Sequence, residues 1–417
     1  MLKQIEGSHA VAEAVGLCRP EVICAYPISP QTHIVEGLSQ LVRSGEIENC
    51  EYVNAESEFS AMSVAIGASA AGARSYTATA SQGLLYMAEA VYNASGLGLP
   101  IVMTLGNRAL GAPINIWNDH SDSMSMRDSG WIQIFAEDNQ EAVDLHIQAF
   151  KIAETLSLPV MVCMDGFILT HAYERVDLPL QEQVDAFLPP YEPRQVLDPA
   201  NPVSIGAMVG PEAYAEVRYL AHHKQLQALE LIPEISREFK ARFGRNSGGL
   251  IGPYHSENVE TVVVAMGSVN GTIKEVIDQM RAEGISIGSL SLRTFRPFPK
   301  QAIGEALKNA KRVIAVEKNL SAGRGGVIST NLRSATVETS PEVTTVIAGL
   351  GGRDITMVSL RKMFDKIIDG ASENIEYLDL NWDVVNHELE RERQRRLSGP
   401  IAENVLREVA GRSDNQV

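Results

Sequence analysis

The sequence predicts an α/β protein of two doubly wound parallel-sheet units, and three observations carry that prediction. First, short polar inserts end apolar runs at Tyr26-Pro27-Ile28-Ser29-Pro30, Glu56-Ser57-Glu58, Thr79-Ala80-Ser81-Gln82-Gly83 and Asn107-Arg108. Their order reads as a series of strand-to-helix turns, which gather along one edge of a parallel sheet, where α/β proteins place their ligands. Second, the stretches between these inserts alternate β-like runs with helical spacing. Third, the rhythm breaks between about 171 and 258 and resumes near 260 with a second set of strands and helices.

In chain order, residues 21–26 read as a strand stopped by the prolines. Thr32–Ser44 reads as a helix, with Ile34, Val35, Leu38, Leu41 and Val42 at helical spacing. Residues 51–54 form a second strand and lead into 59–73, a helix built from Ala, Ser, Gly and short apolar residues. Small side chains there admit a second backbone or a flat ligand at close range. Residues 74–80 are a third strand, 83–94 a helix, and 100–105 a fourth strand ending at Asn107-Arg108; 158–164 repeats the strand pattern and stops at Asp165-Gly166. Pro189-Pro190-Tyr191-Glu192-Pro193 and Asp198-Pro199-Ala200-Asn201-Pro202 read as turn-rich surface chain, followed by a polar helix over about 211–243. The second unit runs through a strand at 260–266, a Gly267-Ser268 turn, a helix to Ala282, and strands at 285–292, 311–316 and 343–348. Glu388-Leu389-Glu390-Arg391-Glu392-Arg393-Gln394-Arg395-Arg396 predicts an exposed charged helix. The chain thus divides into 1–250, with an extended linker, 251–370, and a charged helical tail over 371–417. No short-period repeat is visible.

At 417 residues the chain can form two or three domains, each with a full core. Apolar residues at 45% and charged residues at 21% are ordinary for a globular protein. A net charge of −16 argues against duplex nucleic acid and anionic membrane as partners. The longest apolar runs, such as 97–105, are too short and interrupted to span a bilayer, and the first seven residues lack the basic-then-apolar order of a signal peptide. The expected location is the cytoplasm. Cys18, Cys24, Cys50 and Cys163 show no C-x-x-C spacing. That argues for reduced, partly buried thiols, and against a zinc site or an iron–sulfur cluster held by this chain alone.

Glu58 stands at the start of the small-residue helix. A first-turn carboxylate favoured by the helix dipole is the plain alternative. Against it, the helix is nearly uncharged, so its face is expected to be buried, and a buried carboxylate needs a partner. Glu56 must point elsewhere; one of the two is solvated, and spacing leaves open which. Arg108, at a strand's carboxyl end, either grips a carboxylate in bidentate fashion or makes an ion pair with Asp119 or Asp122. Ser29, bracketed by Pro27 and Pro30, is either a hydroxyl held in a fixed direction or an ordinary turn serine. Asn118-Asp119-His120-Ser121-Asp122 has metal-ligand types, but sequence neighbours rarely reach one ion, so a polar loop without a metal is expected. The glycine turns at 266–271 and 322–326 do not complete the dinucleotide fingerprint. Gly-Asp-Gly, with which thiamine diphosphate enzymes anchor the diphosphate through magnesium, is absent from the chain.

These residues resemble the α subunit of the 2-oxoacid:acceptor oxidoreductases, the pyruvate:ferredoxin oxidoreductase group, from about residue 8 to 370. The likeness rests on the proline-bracketed turn, Glu56-Ser57-Glu58, Ala80-Ser81-Gln82-Gly83-Leu84, Asn107-Arg108-Ala109-Leu110 and Ala112-Pro113-Ile114-Asn115-Ile116-Trp117-Asn118-Asp119-His120. It continues through Arg293-Thr294-Phe295-Arg296-Pro297-Phe298-Pro299 and Gly349-Leu350-Gly351-Gly352-Arg353-Asp354. The resemblance implies a thiamine pyrimidine-type domain over 1–250 and a transketolase C-terminal-like domain over 251–370. It also implies thiamine diphosphate lying between subunits, in keeping with the missing Gly-Asp-Gly, its diphosphate and magnesium held by a β subunit. Glu58 would hydrogen-bond the aminopyrimidine ring and so activate the cofactor. Arg108 would grip the substrate carboxylate, and Ser29 stands where a threonine bonds the same substrate. Pro27, Ile28, Ser81, Gln82 and Gly83 would lie beside the cofactor, with residues 118–122 at the pocket rim.

Three departures from the family pattern bear on the substrate. Ser29 replaces that threonine, Phe59 a frequent histidine, and Gly111 a frequent serine. Two remove volume and one adds an aromatic face, which predicts a roomier, less polar pocket suited to an aryl 2-oxoacid such as phenylglyoxylate, giving benzoyl-CoA. A methyl or hydroxymethyl changes discrimination by only about 1–3 kcal/mol, so pyruvate, giving acetyl-CoA, is the alternative. The expected protein is a subunit of a hetero-oligomer that oxidatively decarboxylates a 2-oxoacid and passes the acyl group to coenzyme A. Electrons would leave through iron–sulfur clusters of partner chains, a ferredoxin-like subunit beside a γ subunit, to ferredoxin or a nicotinamide. A non-oxidative transketolase-type subunit and a purely structural subunit are the other two classes compatible with these residues.

Overall fold

The computed structural model describes residues 1–393 and 401–413. Its strands in the first half are β1 (Leu2–Glu6), β2 (Val22–Ala25), β3 (Glu51–Asn54), β4 (Ser75–Thr79), β5 (Val102–Asn107), β6 (Ile132–Phe135), β7 (Val160–Asp165) and β8 (Tyr173–Asp177). The second half supplies β9 (Ile251–Tyr254), β10 (Thr261–Ala265), β11 (Ile287–Leu292), β12 (Thr294–Arg296), β13 (Arg312–Glu317), β14 (Glu342–Ile347) and β15 (Ile375–Tyr377). They form a seven-stranded sheet in the order β12-β6-β7-β5-β4-β2-β3, a six-stranded sheet in the order β15-β14-β13-β10-β11-β9, and a β1–β8 ribbon. All pairs in the two large sheets are parallel except those made by the edge strands β12 and β9. Continuous apolar runs such as Val262-Val263-Val264 suit such sheets, because helices cover both faces. The expected doubly wound α/β architecture is therefore present twice. One detail was not foreseen: β12, from the second half, pairs with β6 and completes the first sheet.

The helix Thr32–Ser44 buries Ile34, Val35 and Leu38 as its spacing predicts, and ends where Gly45 takes φ 80° and donates its N–H to the Val42 carbonyl. The helix expected over 83–94 begins earlier and is split at Met87 into Ser81–Tyr86 and Ala88–Gly96. The charged tail forms the helix Trp382–Arg393; Gln394, Arg395 and Arg396 lie outside the described residues. All four cysteines are unpaired, and burial pushes the Cys24 and Cys50 thiols up to about 11, so neither is a ready nucleophile. Among the described residues no helix is long and apolar enough to cross a membrane.

Three apolar clusters make the core. One lies between the first sheet and the helices Gly7–Leu17 and Asn139–Leu156. A second joins Met103, Leu105, Trp131 and Phe135 of the first half to Val262, Leu290, Leu292 and Ile303 of the second. A third covers the far face of the second sheet. The shared middle cluster fixes the polar edge of the first sheet against the second unit.

Candidate active site

Five turns meet at the carboxyl edge of the first sheet, following β2, β3, β4, β5 and β7. The chain leaves β2 toward β3 on one side and β4 toward β5 on the other, so β2 and β4 flank the topological switch point. Glu58 is the first residue of the helix Glu58–Ala70, behind the N-cap Ser57, whose hydroxyl oxygen accepts the Ser60 N–H. Capping separates the two acids. Glu56, outside the helix, is exposed; the Ser60 hydroxyl donates to it at 2.7 Å and holds its carboxyl below the usual range. Glu58 turns inward and is 8% exposed. A Cβ on Gly83 would come within 2.7 Å of Glu58 Oε1 and 2.6 Å of Thr79 Oγ1, so glycine is what lets the carboxylate lie against the Ser81 turn. Among the described residues nothing hydrogen-bonds or ion-pairs with the Glu58 carboxylate. A buried acid without a partner in its own chain is the arrangement expected of a ligand contact.

Asp122 is the hub of the edge. Its carboxylate accepts the backbone N–H groups of Ser81 (3.0 Å), Arg108 (2.9 Å) and Ser123 (2.8 Å) and the side-chain amide of Asn107 (2.8 Å). Burial pushes the Asp122 carboxyl up to about 7, with those four N–H donors pulling the other way. Asp122 thereby ties the turn after β4 to the turn after β5, and Ser81 is held at φ 48° with its hydroxyl donating to the Ala109 carbonyl at 2.6 Å. The ion pair considered for Arg108 does not form. Asp122 takes its backbone N–H, Asp119 takes the N–H groups of Ser121 and Gly351, and the guanidinium donates to the carbonyls of Asn115 (2.9 Å) and Ser29 (3.0 Å). Three of its five N–H groups stay uncommitted in a residue only 6% exposed. Ser29 thus acts on Arg108 through its carbonyl, while Pro27 is exposed and Ile28 half-buried at the mouth.

Two expectations need correction. Gly111 does not open space: a Cβ there would meet Gln82 Nε2 at 2.6 Å, so the Gln82 amide already fills the volume. Phe59, 38% exposed, turns its ring toward exposed Tyr86, with centroids 6.4 Å apart. Residues 118–120 form a loop without regular structure, but a buried one. Asn118, Asp119, His120 and Asp122 are all buried, and the chain there begins the short helix Ser121–Ser125.

Sequence reasoning missed how the second unit clamps this edge. Asp165, ending β7, accepts from His120 Nε2 (2.8 Å), the Ser268 N–H (2.9 Å) and the Ser268 hydroxyl, with Lys318 Nζ at 3.0 Å. Asn115 donates to the Gly351 carbonyl at 3.1 Å, and Gly352 at φ 81° leaves no room for a Cβ beside Trp117. The 349–354 glycine run and the 112–120 segment, read apart as two motifs, are one contact. The glycines at 351 and 352, which make room for Asn115 and Trp117, were the available signal.

Two family models match the chain: the thiamine-diphosphate-binding domain of pyruvate flavodoxin/ferredoxin oxidoreductase over residues 13–237, and core domain II of pyruvate:ferredoxin oxidoreductase over 259–360. The pyruvate synthase subunit PorA of Methanosarcina barkeri is 50% identical, over 91% of this chain and 97% of that protein. That of Methanocaldococcus jannaschii is 49% identical over 88% and 95%. The ketoisovalerate oxidoreductase subunit VorA of Pyrococcus horikoshii is 42% identical over 85% and 91%. Among solved structures, 2-oxoglutarate:ferredoxin oxidoreductase from Magnetococcus marinus superposes with a TM-score of 0.67 at 20% identity, covering 88% of this chain and 65% of that one. A split-gene transketolase superposes at 0.51 with 14% identity, covering 88% and 99%. Both structural likenesses speak to the fold.

Proposed function

Because the chain belongs to the pyruvate:ferredoxin oxidoreductase family, we propose that it works as the α subunit of a thiamine-diphosphate-dependent, CoA-acylating 2-oxoacid oxidoreductase acting on pyruvate. The observation that carries this reading is the Glu58 carboxylate, buried at the sheet's carboxyl edge with no hydrogen-bond or ion-pair partner among the described residues. It fits the aminopyrimidine half of the cofactor, whereas the chain offers no Gly-Asp-Gly for the diphosphate half. A β subunit would therefore hold the diphosphate and magnesium, and iron–sulfur and γ subunits would carry electrons to ferredoxin. Thiamine diphosphate, when bound, supplies the carbon nucleophile for decarboxylation. Glu58 would accept a hydrogen bond from the pyrimidine ring and favour its reactive tautomer. Ser81, Gln82 and Gly83 would shape the wall beside that ring, with Pro27 and Ile28 at its mouth. Arg108, aimed by Asn115 and Ser29, would hold the substrate carboxylate with its free N–H groups. We place the unit boundaries near 250 and 370, and the complex in the cytoplasm.

The aryl substrate expected from Ser29, Phe59 and Gly111 finds no support. The relatives are named as pyruvate synthase and ketoisovalerate oxidoreductase subunits, and Gln82 occupies the volume attributed to Gly111. With the assembled complex, kcat/KM for pyruvate should exceed that for phenylglyoxylate; the reverse order would restore the aryl preference. Arg108→Lys keeps the charge but loses the fork. Its KM for the 2-oxoacid should rise by about 10–100-fold, the worth of one or two charge-assisted hydrogen bonds. An unchanged KM in steady-state assays would reassign Arg108 to holding the 111–117 segment.

A further inference from the structure

A cavity of about 500 Å³ opens at the amino-terminal edge of the first sheet. Trp131 and Leu158, which line it, lie just before β6 and β7, so the sheet separates it from Glu58. A six-residue strand spans about 20 Å. One wall is a face of the helix Tyr214–Phe243; the opposite wall comes from the segment around Arg296 and Lys300.

Its charge is anomalous for this molecule. In a chain of net charge −16, Arg127, Arg218, Arg296 and Lys300 converge on the cavity against a single carboxylate, Asp128. Arg127 and Arg296 each approach Asp128 no closer than 3.6 Å, beyond good hydrogen-bond length, and Asp128 is 67% exposed. Arg218 and Lys300 have no ion-pair partner among the described residues. The Arg296 side chain is only 19% exposed; burial, with Arg127 beside it, pulls it below the ordinary guanidinium value, opposed only by Asp128. Beyond the Met124 and Phe295 carbonyls, which accept from Arg127 and Arg296, these two half-buried guanidinium groups share one exposed carboxylate, and a second anion would complete their neutralisation. Leu226, Leu229 and Phe298 add an apolar wall, and the volume lies within the range of small-molecule sites, roughly 300–1,000 Å³.

We propose that this cavity binds an organic phosphate with an apolar or aromatic body, of mononucleotide size, away from the catalytic edge. AMP and inorganic phosphate serve as probes in calorimetric titration and thermal shift of the assembled complex. AMP should bind saturably and raise Tm. Binding should weaken at least about tenfold in Arg218→Ala/Lys300→Ala, both exposed residues, with the ligand-free Tm unchanged. Glu58→Gln should bind AMP as the parent does, whatever its effect on turnover. Absence of saturable AMP binding, undiminished binding in the double variant, or inorganic phosphate binding as tightly as AMP would each overturn the proposal.

Discussion

Glu58→Gln should lower turnover of the assembled enzyme by about 10²–10⁴-fold, the range of a lost acid–base contact, while leaving the chain at least as stable as its parent. The amide matches the carboxylate in shape, so the fit against Gly83 and the cap at Ser57 survive. It lacks the charge that would favour the required ring tautomer. Stability should not fall, because the carboxylate has no hydrogen-bond or ion-pair partner among the described residues, and removing a buried unpaired charge relieves a desolvation cost. The opposing loss is the first-turn dipole interaction, worth about 0.3–1 kcal/mol. Pre-steady-state turnover and thermal unfolding of the same preparation check both halves. Parental turnover would remove Glu58 from the chemistry, and a clear drop in Tm would show that it has a structural partner instead.

The parts of this site that could be read from sequence are those governed by local physics. Spacing placed the helix Thr32–Ser44 and the apolar runs of β2, β4 and β5, because period and turn residues act over a few positions. Ser57 as an N-cap would also have separated Glu56 from Glu58, since an acid before the cap lies outside the helix. Three-dimensional satisfaction hid the rest. The helix Asn139–Leu156 carries no clean apolar stripe, because it buries Asp144 against Arg245 at 2.7 Å and Glu141 against Arg293 at 3.2 Å. Asp122 looked like one acid among several in a polar run, and only the meeting of the β4 and β5 turns makes it an acceptor for four N–H groups. Gly111 suggested empty space for the same reason: the neighbour that fills it, Gln82, is distant in sequence.

Asp165→Ala should destabilise the chain by about 3–5 kcal/mol, the cost of stranding a buried charge. The Asp165 carboxylate is buried where the two sheets meet, and deleting it leaves Lys318, 3% exposed, and the Ser268 N–H without their acceptor. Burial alone would raise the Asp165 pKa; the Lys318 ammonium, then His120 and the Ser268 hydroxyl, outweigh it and hold the carboxyl far below its ordinary value. Since the folded-state value is the lower one, this contribution is present above the ordinary aspartate value of 3.8 and is lost as pH falls below it. Asp165→Ala/Lys318→Met removes both charges and should regain much of the loss, because an apolar pair can replace a buried ion pair at little net cost. Urea unfolding of the parent, Asp165→Ala, Lys318→Met and the double variant gives the coupling directly. A single variant within about 1 kcal/mol of the parent, the net worth of one ordinary hydrogen bond, would mean that the shared apolar core alone holds the units together. A double variant no better than the single would place the cost in the Ser268 and His120 bonds. Where Asp165→Ala is destabilising as expected, the catalytic edge should loosen with it, since His120 precedes the helix that carries Asp122.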